Sequence, residues 1–96
     1  MRTMMRITIP VEAGNAAMAD GTLPETVQSV AEQIQPEAMY FVTNEGARSA
    51  LIFFDLTDSS DVPAIAEPLF SKLNAAVELS PVMNMDDLQA AMAKLS

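Results

Sequence analysis

The stretch Ala47-Arg48-Ser49-Ala50-Leu51-Ile52-Phe53-Phe54-Asp55-Leu56 decides the fold. Side chains of a strand alternate between faces, so Leu51 and Phe53 take one side of a sheet while Ala50, Ile52 and Phe54 take the other. Both sides are apolar and both need cover. Helices of the same chain can shelter one side of a small sheet. The most economical shelter for the other is a second copy of the chain, which brings an identical face to it. The strand therefore sets the expectation of a homodimer joined through an open sheet face.

The neighbours of this stretch follow from it. Asn44-Glu45-Gly46 has the length of a hairpin loop, with Gly46 in a left-handed position, so Ala38 to Thr43 reads as an antiparallel partner strand. Thr3 to Ile9 is another strand, with Met5, Ile7 and Ile9 on one face, Met4, Arg6 and Thr8 on the other, and Pro10 closing the ladder. Val11 to Asp20 suits a short helical entry. Thr22-Leu23-Pro24-Glu25 fits a capping box, after which Leu23, Val27, Val30, Ala31 and Ile34 draw an apolar stripe until Pro36. Past the Thr57–Asp61 turn, Val62, Ile65, Ala66, Leu69, Phe70 and Leu73 form a second stripe. Pro68 lies inside it and predicts a kink or two short helices. Ala75 to Met83 reads as a fourth strand, and Asn84 caps a last helix that carries Met85, Leu88, Ala91, Met92 and Leu95 inward.

The resulting order is strand, helix, strand, strand, helix, strand, helix. Two right-handed strand-helix-strand halves interleave into a four-stranded antiparallel sheet with helices on one side, so the fold class is α+β, ferredoxin-like βαββαβ plus a C-terminal helix. A chain of 96 residues has room for one domain, 1–96. With half its residues hydrophobic and three glycines, it can build a packed core.

Composition excludes several functions. The net charge of −8 opposes binding to phosphate backbones, so no nucleic acid is expected as a partner. Nor does Arg48 to Phe54 match the Gly-aromatic pattern of an RNA-binding sheet. No run of apolar residues is long enough for a membrane span, the N-terminus lacks a secretory h-region, and there is no Cys. Together these suggest a cytoplasmic protein with no membrane partner.

The chain resembles the dimeric α+β barrel superfamily, and within it a group of short bacterial proteins with no settled activity. The resemblance rests on Met1-Arg2-Thr3-Met4-Met5-Arg6, Ile9-Pro10-Val11-Glu12-Ala13-Gly14-Asn15, Pro36-Glu37-Ala38-Met39-Tyr40-Phe41, Ile65-Ala66-Glu67-Pro68, and Pro81-Val82-Met83-Asn84 followed by Asp87-Leu88. It covers nearly the whole chain. It implies a dimer whose two sheets face each other as a barrel, able to hold a small molecule inside. The superfamily also contains cofactor-independent monooxygenases, haem-handling proteins and small lactone isomerases. The alternative reading is thus a monooxygenase or isomerase acting on a small aromatic or lactone-like compound. With neither His nor Trp in the chain, haem ligation by His and a Trp-dependent oxygenase site are excluded, and no cofactor is expected.

No residue constellation specifies a reaction, so no catalytic residue is assigned. The sharpest candidates for ligand binding are Arg6 and Glu78, which the topology places on neighbouring strands facing away from the helices, with Tyr40 supplying a hydroxyl. The plainer alternative is an ion pair that fixes the dimer. Asp55, Asp58 and Asp61 do not have the spacing of a calcium loop; strand end, turn and helix cap account for them, and no metal is expected. Gly14-Asn15 and Asp20-Gly21 serve as turn punctuation, with a place at the barrel mouth as the other reading. The eight Met residues fall mostly at core positions, which makes packing their better account.

Overall fold

Alternation along the deciding stretch becomes a central strand in the computed structural model, which describes residues 1–96. The elements run β1 (Arg2–Ile9), α1 (Val11–Ala19), α2 (Thr22–Ile34), β2 (Ala38–Asn44), β3 (Ala47–Asp55), a 3-10 turn (Ser59–Asp61), α3 (Val62–Leu73), β4 (Ala76–Pro81) and α4 (Met85–Ala93). The sheet has four strands in the order β2-β3-β1-β4, and every neighbouring pair is antiparallel. This is the ferredoxin-like α+β fold. The β2–β3 turn is tight: Asn44 pairs with Ala47, and Glu45 and Gly46 both hold left-handed angles, φ 52° and 77°. Gly46 accepts that geometry without strain; Glu45 carries a side chain into it.

Register decides which residues form the core. On the helix side, Phe41, Ala50, Ile7 and Val77 form one cross-strand row, and Met39, Ile52, Met5 and Leu79 form the next. Met5, Ile52, Phe54, Leu69 and Leu73 are the largest fully buried side chains, joined by Ile7, Ile9, Val30 and Ile65. Ile52, not Phe53, therefore faces the helices. Each such apolar side chain removed from water contributes about 1.5–3 kcal/mol.

Four expectations from the sequence need correction. The capping box at Thr22 does not form: Gly21, at φ 82°, precedes the helix with no side-chain cap, and Asp20 Oδ1 accepts the Thr22 amide at 2.9 Å. Pro24 and Glu25 are exposed first-turn residues. Strand β4 ends at Pro81 instead of Met83: residue pairing with β1 stops at Thr3 opposite Pro81, and a single further bond, from the Val82 amide to the Arg2 carbonyl at 3.1 Å, precedes the turn into α4. Gly14 and Asn15 lie inside α1 and not in a turn. Gly14 is buried against Arg48, whose Nη1 would stand 2.6 Å from a Cβ at that position. The stripe of α4 does not face inward: Met85, Leu88, Met92 and Leu95 are all exposed. A one-sided pattern fixes which side of a helix is apolar, but not what covers it.

The proline in α3 is the fifth correction. The helix is continuous from Val62 to Leu73 with Pro68 inside it. The carbonyl deprived of a partner belongs to Ala64, an exposed residue of the helix. A proline inside a helix costs about 3 kcal/mol, offset by up to about 1 kcal/mol from its stiffening of the unfolded chain. Pro68→Ala is accordingly expected to stabilise the protein by about 2–3 kcal/mol, a rise in melting temperature of roughly 4–8 °C per kcal/mol. Scanning calorimetry giving an unchanged or lower midpoint would contradict this.

Candidate functional site on the open sheet face

The face opposite the helices is ordered in rows. Tyr40 of β2 pairs with Leu51 of β3, Leu51 with Arg6 of β1, and Arg6 with Glu78 of β4, so the four residues form one row across the whole sheet. The row on one side is Ala38, Phe53, Met4 and Ser80; on the other it is Val42, Ser49, Thr8 and Ala76. Arg6 and Glu78 are thus direct cross-strand neighbours, with Cα atoms about 4.5–5.5 Å apart. Tyr40 lies two strands from Arg6, about 10 Å away. The alignment of all three candidates in one row was not legible from the sequence, because it depends on the register of three strand pairs.

The side chains of this row are available for other partners. Arg6 is half-buried and makes no ion pair, Glu78 is exposed, and none of Arg6, Glu78 and the Tyr40 hydroxyl forms a hydrogen bond within the chain. Tyr40 is 59% exposed and meets Phe53 edge-on, with ring centroids 6.3 Å apart at 75°. This arrangement of quadrupoles leaves the open side of both rings apolar.

Polar contacts sit at either end of the face. At one end Asn44 Nδ2 donates to Thr8 Oγ1 at 3.2 Å, Thr8 and Ser49 hydroxyls lie 3.4 Å apart, and Ser49 Oγ donates to the Ile7 carbonyl at 2.7 Å. At the other, Arg2 bridges two elements: its Nε donates to Glu37 at 2.6 Å and its Nη1 to Asp87 of α4 at 2.8 Å. Glu37 holds the Arg2 pKa above its ordinary value, by hydrogen bond first and by charge second. Asp87 also closes a capping box with Asn84, the Asn84 amide donating to Asp87 at 3.0 Å and the Asp87 amide to Asn84 at 2.9 Å.

Two of the three aspartates serve local structure, and the helix cap expected of Asp61 does not form. Asp55 takes the amino group of Met1 at the end of β3, and Asp58 accepts the amide and hydroxyl of Ser60, both at 2.9 Å. Those two bonds, the amide first, keep the Asp58 pKa below the usual carboxylate value. Asp61 precedes α3 without making a side-chain cap.

Clefts of the single chain lie around the candidate row but do not include Arg6 or Glu78. A cleft of about 340 Å³ holds Tyr40 and Phe53 beside Arg2, Glu37 and the Val82–Asn84 segment. A more apolar groove of about 400 Å³ runs between α2 and the end of β2, lined by Leu23, Val27, Phe41 and Ile9. No helix is long and apolar enough to cross a membrane. No family model and no curated protein matches this chain.

Proposed function

We propose that the protein acts as a homodimer of the dimeric α+β barrel kind, two open sheet faces enclosing a small molecule between them. The observation that carries this reading is the row Tyr40, Leu51, Arg6 and Glu78, which sets three unpartnered polar side chains on an apolar floor of Leu51, Phe53 and Met4. Desolvating Arg6 and Glu78 without partners is unfavourable, so closing the face demands a partner for each. A ligand with a polar or anionic head for the Arg6 guanidinium, a donor for Glu78 and a flat body against Tyr40 and Phe53 meets all three demands. Two facing sheets stand about 10 Å apart, enough for one planar molecule between them where side chains are short.

Native mass spectrometry of the purified protein tests this. The expected result is a particle of twice 10.3 kDa that carries an additional small mass. Glu78→Gln keeps the shape of the side chain and removes its charge. It is expected to keep the dimer and lose the additional mass, with affinity for the released compound lowered at least about tenfold, the equivalent of 1.4 kcal/mol. If Glu78→Gln dissociates the subunits instead, the row is an ion-pair lock and the binding proposal fails.

A further inference from the structure

The helix side of the sheet holds a cation beside an apolar floor, separate from the open face. Thr43 of β2, Arg48 of β3 and Ile9 of β1 form one cross-strand row there, and Phe41, Ala50 and Ile7 form the next. The two rows are two residues of strand apart, roughly 7 Å. Leu23 and Val27 of α2 complete the groove of about 400 Å³ around them. Phe41 points to the helix side and is still 67% exposed, so the groove is open along β2.

Arg48 is the only charged residue of this lining. It makes no ion pair, although the chain has 13 acidic residues against 5 basic ones. Within the chain its guanidinium donates from Nη2 to Asn15 Oδ1 at 3.0 Å, which leaves most of its N–H donors free. Helix α1 makes room for it. A Cβ on Gly14 would stand 2.6 Å from Arg48 Nη1, so the guanidinium lies against α1 only because a glycine is there, at some cost to the helix. The Ser49 hydroxyl is already engaged, donating to the Ile7 carbonyl at 2.7 Å.

The chemistry of the groove selects its occupant. The planar fork of a guanidinium matches a carboxylate, and the floor beside it matches a hydrocarbon. One cation balances one negative charge, while the net charge of −8 repels a dianion such as a phosphate monoester. The volume lies in the range of small-molecule sites, about 300–1,000 Å³, which are mostly apolar with a few placed polar groups.

We infer that the α2–β2 groove is a binding site for a small monocarboxylic acid with an apolar body. Arg48, held by Asn15, takes the carboxylate, and Phe41, Ala50, Leu23 and Val27 take the body. The site lies on the opposite side of the sheet from Arg6, Tyr40 and Glu78 and does not depend on the pairing of two copies.

Phenylbutyrate and its neutral counterpart phenylbutanol test this, titrated into the full chain and followed by amide NMR. The acid is expected to shift Val27, Phe41 and Ala50 saturably and to bind at least about tenfold more tightly than the alcohol, as hydrogen bonds to a charged group provide. Arg48 is exposed, so Arg48→Gln leaves the core untouched. That variant is expected to bind the acid no better than the alcohol, while Lys72→Gln, which removes the same charge from α3, keeps the preference. Shifts at Leu51 and Phe53 instead would place the acid on the open face and overturn the inference. So would equal affinity for acid and alcohol, a preference that survives Arg48→Gln, or binding of neither compound.

Discussion

Leu51→Glu is expected to leave the subunit folded and to abolish the proposed pairing of two copies. Leu51 is the centre of the open face, flanked in its row by Tyr40 and Arg6 and packed between the Phe53 and Ser49 positions of its own strand. Its side chain is already half-exposed in the single chain, so a carboxylate there can stay hydrated and the core beneath is untouched. In a face-to-face dimer the substitution enters twice. Each copy loses burial of a leucine, about 2 kcal/mol, and together that lifts the dissociation constant about a thousandfold before any charge is desolvated. Sedimentation equilibrium reads the association and far-ultraviolet circular dichroism reads the fold. A variant still paired at micromolar concentration would place the interface elsewhere on the molecule.

Phe54→Ala is expected to have the largest effect on the subunit itself. The side chain is 2% exposed and lies in the cluster with Met5, Ile52, Ile65 and Leu69. Truncating a buried phenylalanine costs about 3–5 kcal/mol, through lost transfer energy and the cavity left behind. Domains of this size hold about 5–15 kcal/mol in all, so a fall in melting temperature of roughly 15 °C or more is expected. The adjacent Phe53→Ala makes an internal control. Phe53 points to the open face beside Tyr40, so its loss should weaken pairing more than folding. Equal destabilisation by the two substitutions would mean that the open face is held by its own subunit.

What was legible in the sequence was what alternation and helical periodicity encode. Leu51 and Phe53 against Ala50, Ile52 and Phe54 gave the two faces of β3, and Asn44-Glu45-Gly46 gave the hairpin, because each depends on residues close together in the chain. Where the sequence misled, a partner distant in the chain decided the outcome. Arg48 decides the setting of Gly14, and the absence of a covering element leaves the stripe of α4 in solvent. The continuity of α3 through Pro68 turns on whether the carbonyl of Ala64 faces water, which a proline rule cannot supply. The candidate site divides in the same way. Arg6, Tyr40 and Glu78 were legible one at a time from strand parity. Their alignment in a single row with Leu51 required three registers, which residue spacing along the chain does not carry.

The central claim is that the apolar open face of the sheet is covered by a second copy. Sedimentation equilibrium of the unmodified protein across nanomolar to micromolar concentrations tests it most directly. The account predicts a species of twice 10.3 kDa throughout the micromolar range. A well-folded single subunit at those concentrations, with Leu51 and Phe53 in water, would contradict it.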